Sequence, residues 1–167
     1  VGWTVEVPDG FTLSSRVPPG FENKDGIMIN MMETPPQDLS NLPHPTPGEA
    51  MNKGTPNEGM LDSFEALSVN GRDGFLLKSH FVKTNVQVLT LMVEGTTSNG
   101  TLVAVLPPNA NSADQLAAMR QALLSAKESP LTEAQRLEPM PFTVKDTQGL
   151  RLVGTVANSI AVFTSGV

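Results

Sequence analysis

The chain has 167 residues, 39% of them hydrophobic and 17% charged, with no cysteine and a formal net charge of −6. A chain of that length buries roughly 70% of its unfolded surface, enough for one ordinary core, and its low charge density argues against disorder. The missing cysteines exclude disulfides, thiolate nucleophiles, zinc knuckles and iron–sulfur ligation, while the 11 scattered basic residues form no stripe for nucleic acid or an anionic membrane.

From Gly2 to Val7 the alternation of Trp3, Val5 and Val7 with Thr4 and Glu6 predicts a half-buried strand, closed by Pro8-Asp9-Gly10. Phe11 to Val17 reads as a second extended piece, and Asn23-Lys24-Asp25-Gly26 as a turn into the methionine-rich run Gly26 to Thr34, so a hairpin or meander is expected. Residues 35 to 59 carry Pro35, Pro36, Pro43, Pro45, Pro47 and Pro56 and read as a surface connection. One short helix fits inside it, with Thr46 as cap, Pro47 at the first position, Glu49 completing a capping box and Gly54 as the stop.

Phe64 to Val69, Phe75 to Lys83, Val86 to Glu94 and Thr101 to Leu106 are strand-length runs rich in Val, Leu, Phe and Thr. The turn chemistry of Asn70–Gly74, Lys83–Asn85 and Thr97–Gly100 separates them, and such short connections predict an antiparallel meander. Val86 to Val93 and Leu102 to Leu106 are apolar on both faces, so helix is expected on one side and helix or loops on the other. Ser112 and Gln115 form a capping box for a helix whose Leu116, Met119, Leu123 and Ala126 make an apolar stripe. Beyond Pro139 and Pro141, Phe142–Val144, Leu150–Val153 and Ile160–Phe163 are extended again. The passage from Pro141 to Phe163 loosely echoes Gly10 to Met32, either as an internal duplication or as an ordinary extra hairpin.

Few residues suggest chemistry. A copper(I) site needs several converging thioethers, and strand alternation puts only Met28 and Met32 on one face, with Asn30 between them, so packing is the expected role. His44 lies in a loop and His80 in a strand, neither with an acidic residue or second histidine at sequence-local ligand spacing. Gly54 to Gly59 imitates half of a phosphate loop but continues as Met60-Leu61, and Gly-x-Ser-x-Gly is absent. Glu33, Asp62, Glu65 and Glu94 could meet in space as a glycosidase-type pair, and nothing specifically brings them together. Asn99-Gly100-Thr101 is formally a glycosylation acceptor and reads more simply as an Asn-Gly turn. No run approaches the eighteen or so apolar residues of a spanning helix.

The stretch 64 to 127, with its Val69-Asn70-Gly71-Arg72-Asp73-Gly74 turn, long strands and closing helix, resembles the PsbP-like superfamily; "GWTVEVPDGFTLS" and "FENKDGIMIN" are similar to its opening elements. That resemblance implies an α+β fold of α/β/α sandwich type, in which helices cover an antiparallel meander sheet. It also implies a non-catalytic binding or accessory role with a protein partner or small ligand, no cofactor, no metal, and no catalytic residues to transfer. The ligand-binding residues are left unknown, and a hydrolase with an unrecognised carboxylate site is the alternative. Residues 1–130 are expected to form the domain and 131–167 a linker with an extended hairpin, the start of a second repeat if the duplication holds. The start at Val1 without methionine fits either a removed signal peptide or a trimmed fragment. Together with the resemblance it sets the expected location as periplasmic or secreted.

Overall fold

A computed structural model describes residues 2–16, 20–56, 58–129, 131–132, 134–135, 151–156 and 160–164, the last two segments by backbone alone. The fold is mixed α+β and mostly sheet. Eight strands, β2 (Phe11–Leu13), β3 (Gly20–Asn23), β4 (Met28–Thr34), β5 (Ala50–Met51), β6 (Gly59–Val69), β7 (Arg72–Phe81), β8 (Gln87–Val93) and β9 (Asn99–Leu106), form one antiparallel sheet in the order β2-β3-β4-β9-β8-β7-β6-β5. β6 to β9 are the expected meander. Asn70 and Gly71 join β6 to β7 with φ of 50° and 77°, the left-handed pair that a two-residue hairpin turn of type I′ demands.

The register gives the sheet two unlike faces. On the first, Met31, Leu102 and Leu91 lie side by side, as do Ile29, Ala104 and Leu89. The helix α1 (Ala113–Leu124) packs there with Met119, Ala122 and Leu123, and this cluster is the main core. The expected capping box is formed: Ser112 Oγ accepts from the Gln115 amide while Gln115 Oε1 accepts from the Ser112 amide. Trp3, from the two-residue strand β1 (Trp3–Thr4), closes the same core. β1 pairs not with β2 but with β10 (Lys127–Glu128), directly after the helix.

On the second face lie Leu61, Phe75 and Val88, covered by the proline-rich connection instead of a second helix. A 3-10 turn over Leu39–Asn41, capped by Asp38, drops a fully buried Leu39 against β7. The helix expected after Pro47 is not there. Gly48 sits at φ 92°, Ala50 and Met51 pair with Met60 and Gly59 as β5, and a segment this short nucleates helix poorly when a strand edge competes for its amides. Helix therefore covers one face only among the described residues.

The turn expected at Asn99-Gly100 is also displaced. Both residues belong to β9, paired with Thr34 and Glu33 of β4. Gly100 is required by a distant residue: a Cβ there would stand 2.8 Å from the ring of Trp3, and one on Gly95 would stand 2.7 Å from it. Asn99 is 3% exposed, so its amide is no acceptor for a glycan in the folded chain. The strands expected at Leu150–Val153 and Ile160–Phe163 correspond to β11 (Arg151–Val156) and β12 (Ile160–Thr164), a separate two-stranded antiparallel sheet whose first strand runs beside β4. Phe142–Val144 lies outside the described residues.

Candidate functional site

The four carboxylates that could have met go to four different partners. Glu33, fully buried, accepts from the Gly2 amide at 3.0 Å and from Ser98 Oγ at 3.1 Å. Asp62 takes His80 Nδ1 at 2.8 Å, Glu65 takes Arg120 of α1 at 2.9 Å, and Glu94 accepts from the Leu39 amide at 2.6 Å. Glu94 thereby fastens the cover of the second face, as does Asn99, whose Nδ2 donates to the Gln37 carbonyl at 2.8 Å.

The Asp62–His80 pair was hidden because the residues lie 18 positions apart on paired strands, where Met60 is opposite His80 and Asp62 is the extra residue of a bulge between Leu61 and Ser63. It is a cross-strand ion pair at the surface. No cluster of three His, Asp or Glu residues able to hold a metal occurs among the described residues. Met28 and Met32 share the second face with Asn30, alternating with the buried Ile29, Met31 and Glu33.

A candidate binding feature lies at the edge of the thinly covered face. His44, held between Pro43 and Pro45 in the connection, sits with its ring centroid 4.9 Å from that of Phe64 and 5.0 Å from that of Phe75, and the two phenylalanines are 5.1 Å apart. These are the separations of favourable tilted and edge-on aromatic contacts. Strand alternation sends Phe64, Ala66 and Ser68 of β6 and Phe75 of β7 to this face, with Ala66 directly opposite Phe75. Beside the ring cluster opens a cleft of about 420 Å³ lined by Ser40, His44, Ala66, Ser68, Asp73 and Phe75. Its lining mixes apolar side chains with Ser40, Ser68 and Asp73, and its volume is within the range of small-ligand pockets.

A different carboxylate dominates the helix side. Glu128 of β10 accepts from the amide and hydroxyl of both Thr96 and Thr97 in the β8–β9 turn. Burial pushes its proton affinity up, but the Thr96 hydroxyl and amide and then those of Thr97 outweigh this and bring the pKa down to about 2. The arrangement ties β10 to the meander, and both oxygens of Glu128 accept two hydrogen bonds each.

No family model matches the chain, and no curated protein matches it. Among solved structures, LpqN, described as involved in cell envelope biogenesis of Mycobacterium tuberculosis, is similar to 77% of this chain over 83% of its own, with a TM-score of 0.48 and 18% identity. No helix among the described residues is long and apolar enough to cross a membrane.

Proposed function

We propose that the chain is a non-catalytic binding or accessory module of PsbP-like type, exported to the periplasm or secreted, and that it holds its ligand or partner in the cleft beside the His44–Phe64–Phe75 rings. The observation that carries this reading is the cleft itself, lined by the rings of His44 and Phe75 beside Phe64 and bordered by the Asp73 carboxylate. The carboxylate-pair alternative receives no comparable support, because Glu33, Asp62, Glu65 and Glu94 each meet a different partner and no two of them face each other. Titrating indole into isotope-labelled protein tests the cleft. Backbone resonances of Ala66 and Ser68 should move with saturation, and His44→Ala should weaken the response by about fivefold through lost aromatic contact. Shifts scattered over the helix side, or none, would remove the reading.

We infer also that residues 131–167 are distinct from the domain and open a second copy of it. The offset of 131 residues that carries Phe11 to Phe142 also carries Gly20, the first residue of β3, to Arg151, the first of β11, and Ile29 of β4 to Ile160 of β12. The pairings are not identical, since Phe21 faces Ile29 whereas Leu152 faces Phe163 across a tighter connection. Reading the coding sequence on both sides tests both inferences: a leader peptide upstream, and a second Val-Asn-Gly turn downstream at the same offset from Asn70.

A further inference from the structure

β6 is eleven residues long, yet β5 pairs only with Gly59 and Met60, and the preceding residues Gly48 and Glu49 exchange backbone hydrogen bonds only as far as Leu61. From the bulge onward, Ser63 to Ser68 form a sheet edge with no neighbouring strand among the described residues. The register fixes which groups face outward. Val69 and Arg72 flank a two-residue turn and so exchange both their backbone hydrogen bonds, which places Ser68, Ala66 and Phe64 at the alternate positions that turn N–H and C=O away from β7. Leu61, on the near side of the bulge, points outward in the same sense, as its bonds to Gly48 and Glu49 show. The side chains of Phe64, Ala66 and Ser68 point to the second face, where Ala66 and Ser68 line the cleft.

An unpaired edge beside a pocket is the geometry of strand addition, in which main-chain bonds supply affinity and a pocket reads one side chain of the incoming segment. We propose that β6 receives an extended segment of a partner polypeptide along Ser63–Ser68, with one large apolar side chain of that segment seated in the cleft against His44, Ala66 and Phe75. This rests on the cleft reading above and names its partner. The charge of the edge indicates one flank: between Gly54 and Gly71 there is no Lys or Arg, and while Asp62 and Glu65 already face His80 and Arg120, Glu58 has no cationic partner among the described residues, so a segment with a basic residue at that end fits. The same acidity, with a net charge of −6 on every copy, disfavours pairing of two β6 edges with each other.

The test uses isotope-labelled protein and a synthetic heptapeptide, acetyl-Lys-Val-Thr-Phe-Thr-Val-Lys-amide, with a second version N-methylated at alternate residues. The first peptide should slow amide exchange at Phe64, Ala66 and Ser68 by about tenfold or more, and methylation, which removes main-chain donors and keeps the side chains, should cost about tenfold in affinity. Equal binding of both peptides, or unchanged exchange at these three amides, overturns the proposal. If indole still shifts the cleft resonances, the cleft reading survives that failure; if indole also does nothing, both fall. Concentration-dependent self-association that protects the same amides without peptide overturns the foreign partner in favour of a second copy.

Discussion

The two faces of one sheet are covered in different ways. On the first, a twelve-residue helix with a complete capping box lays Met119, Ala122 and Leu123 over Leu89, Leu91, Leu102 and Ala104, and the contact is continuous. On the second, irregular chain is pinned at a few points: Leu39 as a plug, Glu94 and Asn99 as fastenings, His44 against two phenylalanines. A regular cover seals by area; a pinned cover leaves gaps between its fastenings, and the 420 Å³ cleft is such a gap. The cleft opens where cover is thin, and irregular connections on a rigid scaffold of regular elements are where function tends to be carried.

The largest effect that would break this contrast comes from the sealed side. Leu91 is fully buried against the helix, so Leu91→Ala should cost about 3–4 kcal/mol and lower the urea midpoint of the whole domain in one transition. Leu39→Ala removes the plug of the pinned side, and because the connection can settle into the space the cost should be nearer 2 kcal/mol. Its signature should be local: faster amide exchange around the 3-10 turn and loss of indole response, with the helix amides unchanged. If Leu39→Ala unfolds the domain as one unit with Leu91→Ala, the two covers are not independent.

A smaller effect concerns pH. Glu128 has a folded pKa of about 2 against an ordinary 4.5, so its stabilisation is fully present above about pH 5 and is lost as pH falls towards 2. With its partial exposure to solvent, the contribution should be on the order of 2 kcal/mol. Denaturation of the parent and of Glu128→Gln should therefore differ at pH 6 and converge near pH 2. The acid-sensitive amides should be those of β10 and the Thr96–Thr97 turn, not those of the cleft.

What was legible in the sequence follows the same division. The meander from β6 to β9 and the Ser112–Gln115 helix start declare themselves through local chemistry: Asn70-Gly71 needs positive φ, and the capping box satisfies amides within four residues. The failures have non-local causes. Thr46 to Glu49 carries the residues of a capping box, yet the edge of β6 takes the next amides as β5. Asn99-Gly100 looks like a turn, yet the glycine is there because Trp3, nearly a hundred residues earlier, lies on it. The cleft was unreadable because its rings come from a proline-bound loop and two strands, and because the bulge at Asp62 decides which residues face which way.

The pairing of β1 with β10 sets Trp3 opposite Glu128, so the strand that precedes the sheet and the strand that follows the helix meet at one corner. A unit threaded that way can be spliced into a longer protein, or strung in series, with short tethers and without disturbing the eight-stranded sheet.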